Sequence, residues 1–191
     1  KQHAAIMLKT IAAGLLALLG WKAVAPPERP LKAVLVAYPH TSNWDAFYAL
    51  LVKLALGLDA HWAGKDSMFC PPFGSLLKRM GGVPVNRRER TGFVEQMVAE
   101  FAERERFTLA IAPEGTRGLT AGWKSGFYRM ALAAQVPVAL GFMDYARREG
   151  GILAYLTLTG DRDADLAAIA RHYADRPGKR PELASPIRWL D

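Results

Sequence analysis

The segment Tyr38–Asp45 reads YPHTSNWD and places His40 five residues before Asp45, directly after an apolar run. A carboxylate bonded to one imidazole nitrogen fixes the tautomer and leaves the other nitrogen available as a base. Because no suitable Ser or Cys obviously completes a protein nucleophile, such a base would activate a hydroxyl of a substrate. The pair also fits a purely structural role, in which Asp45 stabilises the first turn of a helix.

Two further segments carry charge beside glycine. In Gly81–Arg88, GGVPVNRR, the glycines permit close backbone approach and Arg87 offers a planar fork suited to phosphate. In Ile111–Gly118, IAPEGTRG, Glu114 and Arg117 follow a predicted strand, and the glycine between them lets free N–H groups point at an oxyanion. Solvated arginines and an ion pair within the loop are the structural alternatives.

Strands and helices alternate from residue 32 onward. The predicted strands are Lys32–Tyr38, Asp59–Gly64, Val83–Val85, Phe107–Ala112, Val136–Phe142 and Ile152–Leu158. The predicted helices are Trp44–Leu58, Phe73–Met80, Gly92–Arg106, Trp123–Ala134 and Asp161–Ala174, followed by a loose tail. This order predicts one α/β domain, residues 31–191, with a mostly parallel mixed sheet flanked by helices. Ligands bind at the carboxyl ends of strands in such sheets, which is where His40 and Glu114 fall.

The N-terminal segment, residues 1–25, is predicted to be an apolar helix that associates with a membrane. Its uninterrupted apolar stretch, Thr10–Trp21, has 12 residues between Lys9 and Lys22. As a helix it would measure about 18 Å, which is short for a hydrocarbon core of roughly 30 Å. A helix lying in one leaflet is therefore favoured over a helix packed on the protein, a signal peptide or a spanning anchor.

Composition narrows the classes of partner. The chain of 191 residues is 51 % apolar, and Lys and Arg exceed Asp and Glu by 25 − 18 = 7, a balance that favours anionic partners. The single Cys70 excludes an internal disulfide and a metal site made of cysteines alone. Nucleic acid is disfavoured because the arginines are not interleaved with aromatic residues as a stacking surface requires.

Together these motifs resemble the glycerolipid acyltransferases, the family of 1-acylglycerol-3-phosphate (lysophosphatidic acid) acyltransferases and their relatives. The resemblance covers about residues 32–142. It rests on four blocks that occur in the family's order: His40-x4-Asp45, Gly81 to Arg87, Pro113-Glu114-Gly115-Thr116-Arg117 and Val136-Pro137-Val138. Residues between or after these blocks agree as well: Lys65, Phe73-Gly74, Pro84-Val85 and Lys124-x-Gly126.

The resemblance implies a fold like that of glycerol-3-phosphate acyltransferase and transfer of an acyl chain from acyl-CoA or acyl carrier protein to a lysophospholipid hydroxyl. It implies no metal and no bound cofactor. The implied catalytic residues are His40, Asp45 and Glu114, and the implied substrate-binding residues are Arg87, Gly115, Thr116, Arg117 and Lys124. Because the donors are cytosolic, the expected place is the cytoplasmic face of the inner membrane, peripheral or monotopic, against one leaflet.

Two other functions fit the same residues. A thioesterase or lipid hydrolase could use the same histidine to activate water on an ester or thioester. A protein that binds anionic lipid without catalysis would need only the basic surface and would leave His40 and Asp45 dispensable.

Overall fold

The computed structural model describes residues 2–85 and 92–191 as a single α/β domain built on one sheet. Its strands are β1 Lys22–Val24, β2 Lys32–Ala37, β3 Ala60–Lys65, β4 Gly82–Val85, β5 Phe107–Ile111, β6 Val138–Asp144 and β7 Glu149–Leu156. Its α-helices are α1 Gln2–Leu18, α2 Trp44–Leu56, α3 Gly74–Arg79, α4 Phe93–Glu103, α5 Gly126–Ala133 and α6 Arg162–Tyr173. Short 3-10 helices cover Asp66–Phe69 and Pro181–Leu183.

The sheet has the order β1-β7-β6-β2-β5-β3-β4, and every neighbouring pair is parallel except β6 and β7. The prediction of a mostly parallel mixed sheet flanked by helices is confirmed. Strand β4 lies at the edge, as expected for a strand that contains Pro84, which cannot donate a ladder hydrogen bond. Strand β2 lies in the centre between β5 and β6, so its carboxyl end opens onto the middle of the sheet.

Both faces of the sheet are covered, because alternate residues of a strand point to opposite sides. In β2, Val34 and Val36 pack in the core that includes side chains of α4, α5 and α6. Ala33, on the other side, belongs to a separate cluster. Helices α1 and α2 pack together around a third cluster. A central strand buried on both faces reads as a continuous apolar run, which is why β2 was predictable from sequence.

The N-terminal segment differs from the prediction of one helix over residues 1–25. Helix α1 ends at Leu18, Gly20 takes a left-handed φ of 74°, and Lys22–Val24 forms β1 on β7. Trp21, which follows the turn, is buried, stacks on Tyr48 at 4.1 Å and meets the Tyr145 ring edge-on at 5.0 Å. The segment is thus joined to the sheet by backbone and aromatic contacts.

Helix α1 leaves most of its apolar surface uncovered. Among its large side chains Leu16 is buried, whereas Leu18 is 83 % exposed. The other exposed apolar residues here are Ile6, Met7, Leu8, Ile11, Leu15 and Leu19. No helix in the described part of the chain is both long enough and apolar enough to cross a bilayer.

The segment after α6 is packed against the domain, contrary to the expectation of a loose tail. Ser185 is fully buried; its carbonyl accepts a hydrogen bond from the Tyr38 hydroxyl at 2.8 Å, and its hydroxyl accepts one from the Thr120 N–H at 3.0 Å. Gly178 lies so close to Pro39 and Thr41 that an added Cβ would meet each at 2.9 Å. These single contacts have no periodic pattern, so sequence periodicity did not reveal them.

Candidate active site

The loop between β2 and α2 is organised by the carboxylate of Asp45. This side chain lies in the first turn of α2, and its Oδ2 accepts hydrogen bonds from the backbone N–H groups of Thr41 and Ser42, both at 2.9 Å. Asp45 is 5 % exposed. A buried carboxylate at a helix N-terminus is stabilised by such donors and by the helix dipole. The loop therefore has one defined shape around this group.

The same carboxylate oxygen holds the imidazole of His40. The distance from His40 Nδ1 to Asp45 Oδ2 is 3.2 Å, and the His40 side chain is 23 % exposed whereas that of Asp45 is 7 % exposed. Because Nδ1 faces a carboxylate, we infer that Nδ1 carries the proton and Nε2 keeps its lone pair. A histidine held in this way, at the surface with a carboxylate behind it, can act as a general base.

The second oxygen of Asp45 is held by Tyr145, which follows β6. The Tyr145 hydroxyl donates to Asp45 Oδ1 at 2.7 Å. Burial raises the pKa of Asp45, but the hydrogen bonds from His40, Tyr145 and the Ser42 N–H outweigh burial and hold that pKa below its ordinary value. Burial and the bonded carboxylate raise the pKa of Tyr145. Asp45 is thus ionised at neutral pH and the tyrosine is a hydroxyl donor.

Replacing Tyr145 with phenylalanine should lower the free energy of unfolding by about 1–2 kcal/mol at pH 7, because a hydrogen bond to a buried carboxylate is lost. A depressed folded-state pKa stabilises the protein above the unfolded carboxyl pKa of about 3.9, and this contribution is lost as the pH falls through the folded value. The difference in the free energy of unfolding between the wild-type protein and Tyr145→Phe should therefore become smaller below about pH 4. Denaturant unfolding at several pH values measures it.

The matched control is Tyr48→Phe, which removes a hydroxyl from the same aromatic cluster without touching Asp45. We expect the free energy of unfolding of Tyr48→Phe to differ from that of the wild-type protein by the same amount at neutral and acidic pH. If the loss of unfolding free energy in Tyr145→Phe does not change with pH, the Tyr145 hydroxyl does not interact with an ionised carboxylate.

Glu114, predicted to be catalytic, lies behind the His40 loop. It is 1 % exposed, its Oε2 accepts the backbone N–H of His40 at 2.9 Å, and its Oε1 accepts the backbone N–H of Ser185 at 2.9 Å. Both carboxylate oxygens are therefore bonded to backbone. Glu114 thereby joins the turn after β5, the His40 loop and the C-terminal segment, and its predicted catalytic role stays a prediction.

The turn after Glu114 is exposed. Gly115 has a φ of 69°, and its N–H donates to the Ala112 carbonyl at 3.0 Å, so this N–H is not available to an oxyanion as the sequence suggested. The Thr116 hydroxyl accepts the N–H of Gly118 at 3.3 Å. Within residues 2–85 and 92–191, no hydrogen-bond acceptor is found for the Thr116 N–H. Thr116 is therefore the better candidate for an oxyanion donor.

The remaining predicted substrate-binding residues are distributed unevenly. Arg117 is exposed in the same turn. Lys124 is also exposed, and its Nζ lies 3.0 Å from where a Cβ of Gly115 would be, so its side chain covers the glycine. Arg87 lies outside the described residues. The structure thus brings His40, Asp45 and Glu114 together and places the Gly115–Arg117 turn beside them through Glu114.

A cleft of about 380 Å³ opens next to the His40 loop. Its walls are formed by Thr41, Ser42, Asn43, Trp44, Arg117, Gly118, Arg180 and Leu183. This volume is within the range of small-molecule sites, about 300–1,000 Å³. His40 precedes the first of these wall residues and is not itself among them. The cleft is therefore lined by the start of α2, the turn after Glu114 and the C-terminal segment.

Two residues of this site were missed from sequence, Tyr145 and Arg180. Tyr145 is 100 positions from Asp45, and only the adjacency of β6 and β2 brings them together. The signal available was that Tyr145 follows a predicted strand, as His40 and Glu114 do. Arg180 lay in the segment predicted to be a loose tail, and no pattern in the sequence indicated that it reaches the cleft.

Comparison with known proteins gives the class of the enzyme. The family model described as Acyltransferase matches residues 25–139, which is more than half of the chain and includes His40, Asp45 and the Glu114–Arg117 turn. No curated protein and no solved structure gave a significant match. The protein belongs to the Acyltransferase family and is an acyltransferase.

Proposed function

We propose that this protein is a lysophospholipid acyltransferase. It moves an acyl chain from the thioester of acyl-CoA or acyl carrier protein to a free hydroxyl of a lysophospholipid such as 1-acylglycerol-3-phosphate, and it needs no metal and no bound cofactor. The observation that carries the proposal is the His40–Asp45 contact of 3.2 Å at the mouth of β2, beside an open cleft.

In this mechanism Nε2 of His40 accepts the proton of the acceptor hydroxyl as its oxygen attacks the thioester carbonyl. The carbon–sulfur bond then breaks, the thiolate leaves, and the imidazolium returns the proton to the sulfur. Asp45 stabilises the imidazolium and keeps the ring oriented. General-base catalysis of this kind contributes about 10²–10⁴ in rate. The balance of protons and bonds requires no covalent enzyme intermediate.

Negative charge that develops on the carbonyl oxygen needs a donor, and the Thr116 N–H is our candidate. It lies in the exposed turn that Glu114 ties to the His40 backbone. One well-placed oxyanion donor lowers the barrier by about 3 kcal/mol. The Thr116 N–H and the partly exposed His40 imidazole would then act on the same thioester from neighbouring loops.

A membrane leaflet is the proposed partner because the acceptor and product are lipids. Its support is the exposed apolar surface of α1 and the net charge of +7, which favours anionic headgroups. Exposed apolar side chains also occur near the carboxyl ends of β2 and β3, at Trp44 and Phe47 on α2 and at Met68 and Phe73. Since the acyl donors are cytosolic, we assign the protein to the cytoplasmic face of the inner membrane, peripheral or monotopic.

Charging the outward face of α1 should weaken binding to lipid. Leu15→Glu with Leu18→Glu places two carboxylates on exposed positions of α1, so we expect the folded stability to change little and the bound fraction on anionic phospholipid vesicles to fall at least tenfold. Vesicle sedimentation measures this. Leu132→Glu, exposed on α5, is the control and should bind as the wild-type protein does. Equal binding by the double variant would remove α1 from the membrane contact.

An assay with a labelled acyl donor and a panel of lysophospholipids tests the proposed activity. We expect acylated phospholipid to form only when acceptor is present. Release of free fatty acid at the same rate with and without acceptor would identify a hydrolase instead. Vesicle binding without either product would identify a protein that only binds anionic lipid.

A further inference from the structure

We propose that Arg180, supplied by the C-terminal segment, is a phosphate-binding residue of the cleft beside His40, where it acts together with Arg117, a residue that the family resemblance already implies in substrate binding. The inference rests on the proposed acyl transfer and adds to it a residue outside the segment that the family model covers, residues 25–139. The ligand is a phosphate group, which could belong to the acceptor headgroup or to the CoA part of the donor.

The first support is that both guanidinium groups are unpaired. Arg117 and Arg180 line the same cleft and are exposed, and within residues 2–85 and 92–191 neither has a carboxylate within ion-pair distance. By contrast, Arg147 is paired with Asp144 and Asp175. Two cations in one cleft repel each other unless an anion lies between them. A guanidinium binds phosphate through two parallel N–H donors, so two unpaired arginines that line one cleft suit a phosphate ligand.

The second support is a further cation near the wall that Asn43 and Trp44, at the start of α2, give to the cleft. Lys179 Nζ lies 5.0 Å from the centre of the Trp44 ring, although Lys179 does not itself line the cleft. The positive end of α2 is offset by the ionised Asp45 carboxylate in its first turn, so the attraction for an anion comes from the basic side chains. These side chains favour an anionic ligand.

The third support is that the backbone around Arg180 is held in place. The Arg180 N–H donates to the Thr41 hydroxyl at 3.2 Å. Two residues earlier, Gly178 is in close contact with Pro39 and Thr41, where a Cβ would not fit. The C-terminal segment is therefore fixed against the loop that carries His40. An arginine presented from a fixed backbone loses less entropy on binding than one on a free tail.

This placement suits an acceptor whose phosphate and hydroxyl are separated by a glycerol unit. Thr41, the residue after His40, lines the cleft, so a phosphate bound there would lie beside the loop that carries the proposed base. The arrangement also suits a donor, since the phosphates of CoA lie beyond the thioester on the thiol side. The experiment must therefore separate these two sources.

Arg180→Gln removes the charge and keeps most of the side-chain length. The control is Arg171→Gln, an exposed arginine of α6 for which no ion pair is found in the described residues. For each protein, KM is measured with 1-acylglycerol-3-phosphate or monoacylglycerol as acceptor, and with acyl-CoA or acyl-pantetheine as donor. Thermal unfolding of both variants checks that the fold is retained.

We expect Arg180→Gln to raise KM about tenfold or more for one phosphate-bearing substrate and less than about twofold for its phosphate-free counterpart. The substrate that responds identifies the source of the phosphate. Arg171→Gln should leave every KM within about twofold of the wild-type value. The proposal is overturned if Arg180→Gln leaves all four values unchanged, or raises KM equally with and without the phosphate.

A binding measurement keeps this test separate from the proposed activity. Titration of the full chain with inorganic phosphate, followed by ³¹P line broadening, needs no turnover. Broadening by the wild-type protein that is lost in Arg180→Gln supports the site even if no transfer to any acceptor is found. No broadening by the wild-type protein, or equal broadening by both proteins, overturns it.

Discussion

Replacing His40 with alanine should abolish acyl transfer and leave the fold intact. The variant removes the proposed general base, so we expect kcat to fall by about 10²–10⁴. Asp45 keeps its hydrogen bonds from Thr41, Ser42 and Tyr145, which hold the loop without the imidazole. The side chain is partly exposed and leaves little cavity. Turnover with a labelled acyl donor, together with thermal unfolding, measures both parts of this expectation.

His172→Ala, at an exposed position on α6, is the matched control and should retain full turnover. The base role is wrong if His40→Ala keeps more than about a tenth of wild-type turnover, since a rate loss below tenfold lies outside the range of general-base catalysis. A variant that is both inactive and unfolded would indicate that His40 is a structural residue. These two measurements together separate chemistry from folding.

Asp45→Asn should have the second largest effect. The amide preserves the shape of the side chain but removes the charge that stabilises the imidazolium, so we expect kcat to fall by roughly 10²–10⁴. Asp45 also accepts three further hydrogen bonds, from Thr41, Ser42 and Tyr145, and weakening them should cost about 1–3 kcal/mol of stability. Turnover and denaturant unfolding are measured on the same preparation.

Asp161→Asn is the control for the helix-stabilising part of this role. Asp161 lies at the start of α6, and its side chain accepts the N–H of Ala164 at 3.1 Å, with no histidine in contact among the described residues. We expect a modest loss of stability and full turnover. If Asp45→Asn loses no more turnover than Asp161→Asn, Asp45 only stabilises the start of α2, which is the structural alternative that its position allows.

The centre of the site could be predicted from local sequence. The run Lys32–Ala37 is apolar because β2 is buried on both faces, and this placed His40 at the end of a central strand. The strand before Glu114 was recognised in the same way. Because parallel strands end at the same edge of a sheet, His40 and Glu114 were predicted to lie close together. The hydrogen bond from the His40 N–H to Glu114 agrees with this prediction.

The rest of the site depends on contacts that leave no periodic trace. Tyr145 reaches Asp45 only because β6 neighbours β2, which requires the strand order. Arg180 is held by one backbone hydrogen bond and the close contact at Gly178, and Ser185 by hydrogen bonds to Tyr38, Thr120 and Glu114; none of these contacts has a repeat in the sequence. The orientation of Glu114 toward backbone N–H groups could not be predicted either, because a sequence motif does not indicate whether its glutamate is buried or exposed.

The pairing of β1 with β7 and the contact of Trp21 with Tyr145 have a mechanical consequence for the proposed contact with a membrane. Helix α1 is attached to the sheet within four residues of its end, so it cannot pivot freely on a hinge. The Tyr145 that touches Trp21 also holds Asp45, and Asp45 holds His40. In the proposed membrane-bound state, a leaflet that takes up α1 would therefore set both the tilt of the whole domain and the height of the imidazole above the headgroups.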